Sequence, residues 1–140
     1  MKQFLAERVK YEQTELVSTE RASPLRAITE HIPSAAVFVV DQDFRYLYAG
    51  GSGLTAAGMH PSDFEGKMLG SVVPPELLSQ YLGDYAKVFA GESFVRVHPV
   101  GDRRYITRGR LVKGINGGRD LALAVSYDVT DEPKMNVVAK

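Results

Sequence analysis

The chain has 140 residues, 44% of them hydrophobic and 24% charged, with 17 Lys plus Arg balanced by 17 Asp plus Glu, and no cysteine. This is the length of one domain with a core of its own, and its zero formal charge argues against an electrostatic nucleic-acid binder, which needs a basic excess. Lack of cysteine excludes disulfides, thiolate nucleophiles and thiolate metal sites and suits a reducing cytoplasm; no apolar run approaches the ~18–20 residues that span a bilayer, and the charges in Met1 to Arg8 leave no apolar stretch for a signal peptide.

Residues 1–33 read as a helical extension. Leu5, Val9, Glu12 and Leu16 recur at helix-stripe spacing, with most charges off the stripe. Such a helix is either a lid on its own sheet or a dimer helix, and the two roles are compatible. Ser23 and Pro24 read as N-cap and first residue of a short second helix whose apolar side is Leu25, Ile28 and Ile32, limited by Pro33.

The body of the domain is expected over 34–132. Ala36 to Val40 is apolar throughout, as a central strand covered on both faces would be. Asp41, Gln42 and Asp43 make a turn into a second strand, Phe44 to Ala49, with Phe44, Tyr46 and Tyr48 on one side. Gly50, Gly51 and Gly53 break it. They lack the glycine spacing, the long following helix and the Lys of a phosphate loop. Short turns are predicted from Pro61 to Glu65, with His60 or Ser62 at the cap, and from Met68 to Val72. Pro74 and Pro75 open the longest helix, Glu76 to Ala90, with an apolar stripe of Leu78, Tyr81, Leu82, Tyr85, Val88 and Phe89 and Gly91 at its C-terminus.

Three strands follow. Ser93 to Pro99 pairs through Val100–Asp102 with Arg104 to Val112. There Tyr105, Thr107, Gly109 and Leu111 share one face and Ile106, Arg108, Arg110 and Val112 the other. A turn from Lys113 to Gly118, containing Asn116 and Gly117, leads to Leu121–Tyr127, which is bulky on one face (Leu121, Leu123, Val125, Tyr127) and small on the other (Ala122, Ala124, Ser126). It stops at Asp128, Val129 and Thr130, and 133–140 read as a tail or the start of a linker. None of His31, His60 and His98 sits in a motif that would make it a metal ligand or catalytic base. No nucleophile–base set or metal cluster shows diagnostic spacing.

In order and spacing, AVFVVDQDFRYLYAGG, FEGKMLGSVVPPELLSQYLGDYAKVFAGESF and RRYITRGRLVKGINGGRDLALAVSYDVTDE together resemble a PAS domain over Ile32 to about Glu132. The resemblance implies an α+β fold, a five-stranded antiparallel sheet of order 2-1-5-4-3 with helices over one face. It implies a sensory or interaction module rather than an enzyme. It places Phe38, Val40, Tyr46, Tyr105, Thr107, Gly109, Ala122, Ala124 and Ser126 on a cavity face, with Tyr81, Tyr85 and Phe89 closing it from the long helix. That wall suits a mainly apolar ligand with one or two hydrogen bonds; the alternative is a solid core with aromatic rings above the alanines. Gly50 stands where the family commonly has an Asn that locks the next helix.

The family's cysteine-linked flavin and cinnamate chromophores are excluded, and haem is disfavoured because the long helix has no His, which leaves the cofactor unassigned. The family's acidic exit residue often pairs with a basic one, here Arg45 or Arg119 with Asp128. A homodimer is expected through Leu5, Val9 and Leu16. The output would pass through Asp128, Val129 and Thr130 to a kinase, cyclase or transcription regulator, in a longer parent or in trans. The other readings are a ligand-free dimerisation or interaction module and a small cone-shaped isomerase-type enzyme. The latter wants a buried carboxylate on a cavity-facing strand, whereas Asp41 and Asp128 sit at strand ends.

Overall fold

The computed structural model describes residues 19–131; the stripe of Leu5, Val9 and Leu16 and the 133–140 tail lie outside them. Five strands, β1 (Ala35–Val40), β2 (Tyr46–Gly50), β3 (Phe94–Val100), β4 (Arg103–Asn116) and β5 (Arg119–Asp128), form one antiparallel sheet in the order β2-β1-β5-β4-β3. Helix α1 (Thr19–Glu30) lies on its outer face. Helices α2 (Ser52–Ala56), α3 (Leu69–Val72) and α4 (Pro75–Phe89), with a 3-10 turn at Pro61–Asp63, cover the inner face. The strand order is the one the resemblance implies.

Each face has its own core. On the inner side the α4 stripe packs with Val40, Tyr46, Leu54, Phe64, Leu69, Ala122 and Ala124. On the outer side Val37, Val39, Tyr48 and Leu121 pack against Leu25 and Ile32. β1 and β5 therefore bury both faces along much of their length, which explains why Ala35–Val40 and the stretch from Leu121 to Tyr127 carry no charge. The 3-10 turn is capped by His60, whose ring accepts from Ser62 N–H while Asp63 accepts from His60 N–H.

Five local expectations are corrected. Pro24 lies inside α1 rather than at its start; the helix continues although proline cannot donate the bond four residues back. Ile28 is 64% exposed, and Thr29 takes the inward position, its hydroxyl 2.5 Å from that of Tyr48. The second strand begins at Tyr46, because Phe44 is in a left-handed turn conformation, φ 64°. Within β2, Val39 pairs with Tyr48 but Val40 with Tyr46, leaving Leu47 as a bulge. That extra residue flips the alternation, so Tyr46 joins the inner core and Tyr48 the outer one. The last hairpin turns at Gly117 and Gly118, not at Asn116 and Gly117. Both glycines have positive φ, 63° and 86°, as a two-residue type I′ turn demands.

The glycine cluster after β2 serves packing. A Cβ on Gly53 would lie 2.6 Å from the Ala35 carbonyl carbon. Glycine therefore lets the start of α2 sit against the β1 backbone, where Ser52 donates to the Ile32 carbonyl at 3.2 Å.

Candidate functional site

Register organises the inner face into rows running across the strands. One row sets Phe38, Ala124 and Gly109 beside Phe94; the next sets Ala36, Ser126 and Thr107 beside Arg96; the last sets Asp128 and Tyr105 beside His98. The first of these rows is filled. A Cβ on Gly109 would come within 2.8 Å of Phe94 ring carbons, and Phe94 in turn meets Tyr85 edge-on at 5.8 Å. Phe89 packs against Phe44 at 6.2 Å.

A cavity of about 380 Å³ opens over the next two rows. Its floor is Phe38, Tyr46, Tyr105, Thr107 and Ser126; Tyr81 and Tyr85 of α4 bound it, and Leu54, Phe64, Val73 and Leu77 complete much of the remainder. Seven of the twelve residues expected at a pocket are thus brought together. Val40, Phe89, Gly109, Ala122 and Ala124 lie in or beside the packed core instead. Among the described residues the cavity wall contains no Asp, Glu, Lys or Arg. Burial keeps the Tyr46 and Tyr85 hydroxyls protonated, their pKa values pushed far above the usual phenol value of 10.0.

Two polar features escape sequence reasoning. Asp84, buried on the apolar side of α4, receives Arg96 Nε at 2.6 Å and Nη2 at 2.7 Å, tying edge strand β3 to the helix. An acid within the 3–4 spacing of the stripe was the signal for it. His98 also faces the cavity, not solvent: Nε2 lies 2.9 Å from Thr107 Oγ1, which lies 3.0 Å from Ser126 Oγ. Its ring also packs against Tyr105 and Tyr81. Burial, with the nearby Arg96 charge, holds its pKa below the usual 6.5, while Asp84 pulls the other way. The signal for His98 was the alternation Phe94, Arg96, His98, which puts all three on one face.

The exit adjoins the cavity. Asp128 pairs with Arg103, at 2.8 Å from Nε and 2.7 Å from Nη2, rather than with Arg45 or Arg119. Arg45 instead donates to the Gly66 carbonyl at 3.1 Å. Arg103 begins the neighbouring strand, where β4–β5 register brings it to the end of β5. Thr130 donates to Asp128 through its hydroxyl at 2.6 Å and its N–H at 2.9 Å. The Thr130 hydroxyl bond and the Arg103 pair hold the Asp128 carboxyl below its usual 3.8. Arg104 fixes Val129: its N–H donates to Thr130 Oγ1, its guanidinium to the Val129 carbonyl, and its own carbonyl accepts from Val129 N–H at 2.7 Å. A groove containing Arg103, Asp128 and Asp131 shares Ala57, Met59, Val100, Tyr105 and Ser126 with the cavity.

A family model described as the PAS fold matches residues 29–133. The chain belongs to the PAS-fold family. It is a sensory and signalling module of that family, whose members are generally not enzymes. Similar solved structures include a domain of an HTR-like protein from Haloarcula marismortui (22% identity, 69% of this chain and 99% of that one, TM-score 0.56). The PAS domain of BvgS from Bordetella pertussis is 14% identical (84% and 93%, TM-score 0.58). VqmA from Vibrio cholerae, solved with ligand and DNA, is 16% identical (84% and 55%, TM-score 0.61). This PAS domain thus aligns with about half of VqmA. No curated protein matches the chain in sequence. Among the described residues no helix is long and apolar enough to cross a membrane, and no three His, Asp or Glu group as a metal site.

Proposed function

We propose that this PAS domain senses a small uncharged molecule, held without a covalent bond in the cavity beneath α4, and passes its occupancy to the Asp128–Thr130 exit. The observation that carries this reading is the shared wall. Tyr105 and Ser126 line both the cavity and the groove at Asp128. A ligand that moves either side chain therefore acts two residues along the strand from the Arg103–Asp128 pair, and Tyr105 lies directly across from Asp128. Differential contact with two arrangements of that pair is what a relay requires. An aromatic wall with a few hydroxyls favours an apolar ligand with one or two hydrogen bonds. VqmA has been solved bound to DPO, which agrees with ligand sensing on this fold.

The signalling unit we propose is a cytoplasmic homodimer that drives an effector domain in the same polypeptide or in trans. Val95 and Val97, 41% and 40% exposed on the outer face of β3, favour a protein contact there. Native mass spectrometry of the protein from its own host tests ligand and assembly together. We expect a noncovalent adduct on a dimer. A dimer that binds neither host molecules nor small apolar probes would replace this reading with that of a ligand-free interaction module.

A further inference from the structure

His98, Thr107 and Ser126 stand on three adjacent strands, β3, β4 and β5, and all three line the cavity. Their polar atoms form a chain, Nε2 to Oγ1 at 2.9 Å and Oγ1 to Oγ at 3.0 Å. Each hydroxyl carries one proton and two lone pairs, so the chain runs in one of two directions or meets at Thr107 as a double acceptor. In the first, His98 Nε2–H donates to Thr107, Thr107 donates to Ser126, and the Ser126 O–H is left to donate into the cavity. In the second, Ser126 donates to Thr107, Thr107 donates to a bare Nε2, and Ser126 offers a lone pair. A neutral imidazole supports either direction, by choice of tautomer. An imidazolium carries a proton on both nitrogens and excludes the second: it permits the first, or a third in which Thr107 accepts from both neighbours and turns its own O–H away from the chain, so one hydroxyl proton of the Thr107–Ser126 pair is always left over.

We propose that this triad is a polarity selector: the protonation state of His98 decides whether the Thr107–Ser126 pair keeps a hydroxyl proton free for a ligand, so acidification favours ligands with a carbonyl-type acceptor over ligands with an N–H or O–H donor. The inference rests on the ligand-binding reading above and adds a specificity rule to it. The surroundings leave His98 as the group that switches. From α4 it faces Tyr81, Tyr85 and Asp84, from β4 Tyr105, and on its own strand Arg96. Asp84 and Arg96 are paired with each other. The Tyr81 and Tyr85 hydroxyls are held protonated by burial. Reciprocity then requires that an acceptor ligand raise the His98 pKa and a donor ligand lower it.

Three small aromatic probes test this: acetophenone as acceptor, indole as donor and ethylbenzene as apolar reference. Affinities are measured by calorimetry between about pH 8 and about pH 5, and the His98 ring nitrogens are followed by NMR. We expect indole to lose about tenfold relative to acetophenone on acidification, the size of one mismatched hydrogen bond, and the two probes to move the His98 pKa in opposite directions. Thr107→Val breaks the chain and should make the two probes respond alike, while Thr107→Ser should restore their divergence. If both follow ethylbenzene at every pH, the selector is overturned and the cavity reading survives. If none of the three binds, the cavity reading falls and the selector with it.

Discussion

Ala124 and Ser126 are neighbours on one face of one strand, both small, yet they meet the long helix differently. Above Ala124 and its partner Gly109 the rings of Phe94 and Tyr85 fill the space, and Ala124 is fully buried. Above Ser126 and Thr107 the space stays open and the side chains are polar. Small residues on a sheet therefore do not by themselves mark a cavity. What decides is whether an aromatic ring from a neighbouring strand or helix occupies the volume they leave, because interiors close-pack wherever a side chain can reach.

Introducing leucine at each position separates the two regions. Ala124→Leu adds methylenes where rings already stand and should destabilise by about 1–3 kcal/mol, seen as a lower melting midpoint. Ser126→Leu puts them into open volume. New contacts offset a lost hydroxyl bond of about 1 kcal/mol, so the midpoint should change little while probe binding disappears. Equal losses from the two changes would show that the cavity closes in solution.

Alternation separated the two faces of β4 and β5, because strands repeat with period two whatever surrounds them, and the continuous apolar run of β1 marked a strand covered on both faces. The α4 stripe was equally legible. What the pattern missed depends on contacts distant in sequence. The Leu47 bulge, which sends Tyr46 and Tyr48 to opposite faces, is a property of pairing with β1. The filling of Gly109 depends on Phe94 across the β3–β4 hairpin. The partner of Asp128 is set by where β4 begins, which makes it Arg103. His98 lies on a legible strand, but its place at the cavity depends on Thr107 and Ser126, which only the pairing of β3, β4 and β5 brings beside it.

The same contrast has a pH signature. His98 belongs to the open region, and its folded pKa lies below 6.5. A depressed folded pKa means that the unfolded chain takes up the proton first. The associated stability is complete above the unfolded value and is lost as pH falls from about 6.5 through the folded pKa. His98→Gln keeps a partner for Thr107 but cannot titrate there, so its midpoint should be flatter than the parent's over that window. A parent midpoint already flat across it would place His98 outside this linkage.

The smallest effect on stability is expected where the cavity meets the exit. Asp128 is anchored by Arg103 on one side and by the Thr130 hydroxyl and N–H on the other. Both partners sit near the surface, where solvent screening leaves an ion pair little net value. Asp128→Ala should therefore leave the midpoint almost unchanged, in contrast to Ala124→Leu two rows away. Its effect should fall on geometry. Thr130 loses both bonds to the carboxylate and keeps the one its Oγ1 accepts from Arg104 N–H, while Arg104 still holds Val129 through its carbonyl and its guanidinium. The chain should then leave the sheet with Val129 in place and the Thr130 N–H released. Amide hydrogen exchange reads this directly: faster exchange at Thr130 with Val129 still protected is the expected result. Loss of protection along the whole of β5 would instead make Asp128 a keystone of the sheet, and the exit would be no hinge.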